Sequence, residues 1–277
     1  MAKMLVGLCQ TPVTSDKDEN LAAAGAYIER CVKAGARLVV LPEMFCCPYQ
    51  SSAFPVYAEK PGGKVWSFLS DTAKKHRIAL IGGSMPELDD AGRIYNTCFI
   101  FDENGAQTGR HRKMHLFDID VKGGQRFMES ETLSPGNTMT IIDTAWGKIG
   151  IMICFDVRFP ELARLMALEG VFAIIIPGAF NMTTGPAHWE ITMRTRALDN
   201  QVYVLACAPA RDENGSYKSY GNSLAVSPWG NILNRLDAGP DILLEELDTE
   251  HVTSIRSQLP LLSARREDLY GINIFHK

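Results

Sequence analysis

The chain has 277 residues, 46% of them hydrophobic, and a formal net charge of −4. That is ample apolar material for a continuous buried core, which excludes a disordered chain. Asp and Glu are scattered along the whole length, so a nucleic-acid partner has no electrostatic support, and no apolar run approaches the roughly 20 residues that span a bilayer.

Residues 1–10 hold too short an apolar stretch for a signal peptide and run into a strand at 4–9, so a soluble, cytoplasmic protein without a membrane partner is expected. An amphipathic helix is predicted over about 18–34, closed by Gly35, followed by an apolar strand at 37–41. A second helix near 64–76 leads to a strand at 78–82. The strand 93–101, the turn Asp102-Glu103-Asn104-Gly105 and a return segment toward Lys113 read as a hairpin. Strands at 139–143 and 148–154 flank Ala145-Trp146-Gly147, a second hairpin turn. A helix over 160–169 stops at Gly170, and the apolar run 171–176 is a buried strand ending at Pro177. A long helix near 187–200 precedes a strand at 201–208, and two more strands surround Ser227-Pro228-Trp229-Gly230.

Helix, glycine, apolar strand and proline recur in that order at 29–42 and at 164–177, which suggests two similar halves. Helices alternating with strands, with hairpins between, predict an α/β fold: an α-β-β-α sandwich of two mixed sheets with helices outside. No linker separates independent domains.

Seven cysteines form an odd set without a C-x-x-C pair, which argues against a disulfide framework or a metal site. Cys154 differs from the others: it ends an apolar strand and is followed by Pro160-Glu161 opening a helix, although core packing is still the alternative for it taken alone. A helix N-terminus lowers a thiol pKa and supplies N–H groups for an oxyanion. Glu43, after Leu38-Val39-Val40-Leu41-Pro42, is a carboxylate at the end of a buried strand, either a solvated residue starting a loop or, if desolvated, a base. Lys113 lies in Arg110-His111-Arg112-Lys113-Met114-His115, a solvated basic turn unless it faces inward as a fixed cation.

Glu43 in L-P-E, Lys113 in R-K-M-H-L and Cys154 in I-C-F-D, in that order, resemble the Glu-Lys-Cys triad of the nitrilase, or carbon-nitrogen hydrolase, superfamily. The likeness extends to Pro177-Gly178-Ala179-Phe180-Asn181, to Gly185-Pro186-Ala187-His188-Trp189-Glu190 and to Ser227-Pro228-Trp229-Gly230, and so covers nearly the whole chain. Within the superfamily, 115–120 and 180–186 look most like omega-amidases. Phe155 and Pro160 depart slightly from the pattern, where Tyr and Ala are frequent. The resemblance implies one hydrolase domain over 1–277, with about 249–277 as a C-terminal extension. It also implies that Glu129 is a fourth polar member of the site.

The expected chemistry needs no cofactor and no metal. Cys154 attacks an amide carbon, Glu43 shuttles the proton, and Lys113 with the backbone N–H of Phe155 holds the oxyanion. The substrate is expected to be a small carboxylate-bearing amide, the omega-amide of a short 2-oxo dicarboxylic acid. Its carboxylate would meet the loop carrying Phe180, Asn181, Thr183 and Thr184, with Arg158 or Tyr49 adding charge or a hydroxyl. Capping of the next helix is the alternative role for Thr183 or Thr184. His188 is expected on the pocket wall, with a papain-like Cys154–His188 pair as the competing reading. Deaminated-glutathione amidase, N-carbamoyl-amine hydrolase and a silent scaffold subunit stay open as alternatives. The apolar tail 255–277 suggests a homodimer, with packing of the tail on its own domain as the alternative.

Overall fold

The computed structural model of the chain describes residues 3–122 and 126–273. Its first half runs β1 (Met4–Gln10), α1 (Lys17–Lys33), β2 (Leu38–Val40), the short α2 (Phe54–Tyr57), α3 (Lys64–His76) and β3 (Ala79–Ile81). Next come β4 (Met85–Leu88), β5 (Ile94–Phe101) and β6 (Gln107–Arg112), then a small ribbon of β7 (Asp118–Asp120) and β8 (Arg126–Met128). The second half runs β9 (Thr140–Thr144), β10 (Gly147–Ile151), α4 (Pro160–Leu168), β11 (Ala173–Pro177), α5 (Gly185–Asn200), β12 (Tyr203–Cys207), β13 (Leu224–Val226) and β14 (Ile232–Arg235). β15 (Asp241–Leu247) and α6 (Thr249–Gln258) follow.

Two mixed sheets form, ordered β15-β1-β2-β3-β5-β4 with β6 also on β5, and β14-β13-β12-β11-β10-β9. Each is built around three parallel strands, β1-β2-β3 in one and β10-β11-β12 in the other. Each trio is flanked by antiparallel neighbours, β15 and β5 in the first sheet and β9 and β13 in the second. The recurring helix-glycine-strand pattern therefore has a structural counterpart: α1-Gly35-β2 and α4-Gly170-β11 occupy matching places in the two sheets. Both glycines have positive φ, 96° and 89°, the left-handed backbone that ends a helix without a Cβ penalty.

Period-two alternation puts the layers together. Val6, Leu8, Leu38, Val40 and Ile100 face the core that also holds Ile149, Ile151 and Ile174 of the other sheet. Val39, Leu80, Phe99 and Phe101 point the other way, onto Leu21 and Ile28 of α1 and Leu69 of α3. Leu162 and Met166 of α4 and Trp189 and Met193 of α5 cover the second sheet. The order is helix, sheet, sheet, helix, as the sequence pattern implied.

Two differences have local causes. The strand expected at 171–176 begins later, because Gly170 N–H and Val171 N–H donate to Ala167 O and Met166 O and so finish the helix. β15 pairs with β1 along seven residues, yet only Leu243 and Leu247 of it are buried, a spacing that mimics a helix.

Candidate active site

Four polar side chains arrive at one point because each follows a strand. Glu43 lies just past β2, Lys113 directly after β6, Glu129 directly after β8, and Cys154 just past β10. Glu43 and Cys154 thus sit at the carboxyl ends of parallel strands, where open α/β sheets place their sites, while Lys113 and Glu129 come in from antiparallel strands. The backbone at Gly83 packs against Leu41 and Pro42, with φ 58°, leaving no room for a Cβ. Ser84 then accepts the Met44 N–H on its hydroxyl at 3.0 Å and donates its own N–H to Pro42 O at 3.2 Å, clamping the segment that carries Glu43.

Lys113 is fully buried, not a solvated turn residue. Its Nζ donates to Glu43 Oε1 and to Glu129 Oε1, both at 2.9 Å. Tyr49 donates its hydroxyl to Glu129 Oε1 at 2.7 Å and lies 3.3 Å from Glu43 Oε1. The other lone pairs are also met: Asn96 Nδ2 donates to Glu43 Oε1, Ala179 N–H to Glu43 Oε2, both at 2.8 Å, and Phe117 N–H to Glu129 Oε2 at 2.7 Å. Two carboxylates around one ammonium would repel; the cation and these donors hold them together.

Cys154 opens a 3-10 turn, Cys154–Arg158, with φ 46°. A non-glycine residue there carries about 1–3 kcal/mol of backbone strain, a feature that clusters at functional sites. The Cys154 thiol feels the charges of both Glu43 and Lys113, and Ala179, whose N–H donates to Glu43 Oε2 at 2.8 Å, adjoins it. Burial pushes the thiol pKa well up, and the Glu43 charge adds to this while Lys113 opposes it. The lowered thiol pKa expected from a helix start is therefore overridden: the resting sulfur is a thiol beside a base. Burial likewise raises the Glu43 carboxyl above its ordinary range, with Lys113 pulling against it and Glu129 adding to it. For Lys113, burial alone would lower the pKa, but the charges of Glu129 and Glu43 hold it above the usual lysine value, so it stays an ammonium. A thiol, an adjacent carboxylate of raised pKa and a locked cation are the parts for acyl transfer.

The carbon-nitrogen hydrolase family profile matches residues 5–257. The chain belongs to the carbon-nitrogen hydrolase family. It is 48% identical to omega-amidase NIT2-A of Xenopus laevis over 98% of each chain, and 47% identical to omega-amidase NIT2 of Mus musculus over the same shares. Among solved structures, Nit3 of Saccharomyces cerevisiae, a nitrilase-superfamily member, superposes with a TM-score of 0.88 at 45% identity, covering 96% of both chains.

The remaining predicted residues of this hydrolase fall into two groups. Tyr49 belongs with the polar cluster, where its hydroxyl is engaged by the two carboxylates; it also lines, with Glu43, Gln50 and Tyr217, a cavity of about 200 Å³ that Cys154 and Lys113 do not reach. Arg158, Phe180, Phe155 and His188 form the second group. The Arg158 guanidinium lies over the Phe180 ring at 4.7 Å and the Phe155 ring at 5.7 Å, and its Nη1 is 3.2 Å from His188 Nδ1. Its Nε is buried with no partner among the described residues. Desolvation lowers its pKa and the Cys154 sulfur opposes this, which places a poorly solvated cation near the thiol. His188 pairs with Arg158.

Asn181, Thr183 and Thr184 build their own loop. Asn181 Oδ1 accepts from Thr183 N–H, Thr184 N–H and Thr184 Oγ1 at 2.9–3.1 Å, so Asn181 closes the turn before α5 and Thr184, the residue preceding that helix, makes no side-chain cap bond. Sequence reasoning missed Asn96 and the Ala179 and Phe117 N–H groups. Asn96 and Thr97 are polar residues inside an otherwise apolar strand, a signal that was present; backbone donors leave none. Among the described residues, no group of three or more His, Cys, Asp or Glu is placed to hold a metal ion, and no helix is long and apolar enough to cross a membrane.

Proposed function

We propose that the chain is an omega-amidase, hydrolysing the terminal amide of short 2-oxo dicarboxylic acid monoamides, 2-oxoglutaramate and 2-oxosuccinamate, to the dicarboxylate and ammonia. The observation that carries this reading is the fully buried Lys113 ammonium held at 2.9 Å by both Glu43 and Glu129, with the buried Cys154 thiol under the influence of the same Glu43 and Lys113 charges. The omega-amidase relatives at 47–48% identity supply the substrate class.

In this reading the Cys154 sulfur bonds to the amide carbon as its proton passes to Glu43. Negative charge develops on the former carbonyl oxygen and is held by Lys113 and the Phe155 N–H; one such donor is typically worth about 3 kcal/mol. Glu43 gives the proton to the departing nitrogen, the carbon–nitrogen bond breaks, and ammonia leaves a thioester. Water then attacks while Glu43 takes its proton, the carbon–sulfur bond breaks, and the thiol is restored. Glu129 also holds Lys113 in place, accepting from its Nζ at 2.9 Å. Arg158, half-buried with an unpartnered Nε, receives the substrate's distal carboxylate, and Phe180 and His188 line that end.

The enzyme is further read as a cytoplasmic homodimer of single-domain subunits. Leu259, Leu261, Leu269 and Tyr270 are exposed in the tail, and Ile191, Leu198 and Trp229 are exposed together beside α5; Ile274 and Phe275, part of the same tail argument, lie outside the described residues. Light scattering at micromolar concentration should report twice the chain mass, and a monomer would reject the dimer. The substrate test is a panel: kcat/KM should peak for 2-oxo acid amides of four or five carbons and collapse when the distal carboxylate is removed, since groups built to bind it are then unpaired. A preference for deaminated glutathione or an N-carbamoyl amine would overturn the omega-amidase assignment.

A further inference from the structure

Another buried carboxylate, besides Glu43 and Glu129, stands outside the polar cluster and, among the described residues, bonds to none of its side chains. Asp156 is fully buried in the 3-10 turn that begins at Cys154. Its Oδ1 accepts the backbone N–H groups of Met114 at 3.2 Å and His115 at 2.9 Å, and His115 Nδ1 at 2.8 Å. Its Oδ2 accepts the Ile153 N–H at 3.0 Å and lies 3.0 Å from His111 Nε2. The far side of the His111 ring is fixed in turn by Thr140 Oγ1, 3.0 Å from Nδ1. The His115 ring stacks on Phe159, the residue that ends the same turn, with ring centroids 3.7 Å apart.

These contacts have a common geometry. One oxygen takes the two residues that directly follow Lys113, the other takes the residue that directly precedes Cys154, and His111 braces the strand end on which Lys113 sits. Two segments from different sheets, which share no strand pairing at this point, are thus bolted to a single anion. Burial would raise the pKa of such a carboxyl, but the hydrogen bonds from His111 and His115 outweigh it and hold it well below the usual range, so the anion persists. Cys154 itself sits in the left-handed region at φ 46°, a conformation that persists only where surrounding bonds over-determine it.

We propose that Asp156, braced by His111, is a positioning residue that sets the Cys154 sulfur against the Lys113 ammonium without touching substrate. The inference rests on the assignment of Cys154 as nucleophile and Lys113 as oxyanion cation. It goes beyond that assignment by naming what holds two chemically unconnected members of the site in register. Misplacement of a reacting group by about 1 Å costs roughly 100-fold in rate. Losing Asp156 should therefore appear in kcat, while KM, set by groups around Arg158, stays put.

The test uses full-length enzyme with 2-oxoglutaramate. Asp156→Asn puts an N–H where Ile153 N–H or His111 needs an acceptor; kcat should fall about 100-fold with KM within about threefold. Because that variant disturbs a buried anion, a second pair keeps the test independent of its folding. His111→Gln keeps an amide nitrogen at the Nε2 position and should stay within about threefold of wild type, whereas His111→Leu, which fills the space but cannot donate, should lose kcat as Asp156→Asn does. Equal activity of the Gln and Leu variants, or a lower melting temperature for Asp156→Asn with unchanged kcat per folded enzyme, would overturn the proposal. A rise in KM with kcat intact would overturn it too, by moving Asp156 to substrate binding. Cys154→Ala, run in parallel, separates the layers. Turnover retained there removes the nucleophile assignment on which this inference stands, whereas turnover lost there but full in Asp156→Asn removes the inference alone.

Discussion

Glu43 and Lys113, 70 residues apart in the chain, meet at 2.9 Å with both side chains wholly out of water. A buried pair of this kind is poor evidence for stability, since desolvating two ions offsets their attraction, but breaking one is costly. In the proposed reaction the pair serves to accept the thiol proton and to hold charge on the reacting carbonyl.

Lys113→Met should abolish turnover and destabilise the fold at neutral pH by about 3 kcal/mol, because Glu43 and Glu129 lose their shared cation. The sign of the pH dependence follows from Glu43. Its folded pKa is already above the ordinary 4.5 and rises further without the ammonium, so the folded state binds more protons than the unfolded one. Stability of the variant should then recover as pH falls toward 4.5 and decline as pH rises through the raised value. Urea melts at several pH values check this; a variant as stable as wild type at pH 7 would contradict it.

The same raised carboxyl predicts the acid side of the rate profile. Glu43 must be ionised to take the thiol proton, so kcat/KM should fall on acidification with a midpoint above 4.5, the ordinary glutamate value. A midpoint at or below that value would mean that burial and Glu129 do not govern the base. Lys113 and Tyr49 do not set this limb, since their pKa values are displaced upward, away from the acid range.

How much of this was legible beforehand differs by residue. The helix-glycine-strand repeat is a local pattern, so the two-sheet sandwich was readable; the strand-end positions of Glu43 and Cys154 were visible too, but only the resemblance to the Glu-Lys-Cys triad singled them out from a loop carboxylate and a packed thiol. The Glu43–Lys113–Glu129 cluster needed the family resemblance, because Lys113 in a run of basic residues looks like solvent-facing charge. Tyr49, Asn96 and Asp156 were out of reach as partners: their contacts to Glu129, Glu43 and His115 span 80, 53 and 41 residues, and no periodicity encodes such distances. Asn181 was legible as a polar loop residue, but which of its neighbours it would cap depends on the turn geometry before α5.

Arg158 offers the sharpest test of substrate orientation. Arg158→Gln should lower kcat/KM for 2-oxoglutaramate about 10- to 100-fold, the usual cost of losing a hydrogen bond to a charged group, mainly through KM. A neutral amide lacking the distal carboxylate should be nearly indifferent to the change. Equal losses for both substrates would place the arginine's role in the fold, where its stacking on Phe180 and Phe155 would be what matters.

The central claim is that carbon–nitrogen cleavage passes through an acyl group on Cys154. Acid-quenching the enzyme during turnover of 2-oxoglutaramate, followed by intact-mass spectrometry and peptide mapping, tests it most directly. The account predicts a transient adduct of the substrate's acyl mass on Cys154, on none of the other six cysteines, and no adduct or turnover in Cys154→Ala. Turnover by Cys154→Ala, or an acyl group mapped to a different residue, would contradict it.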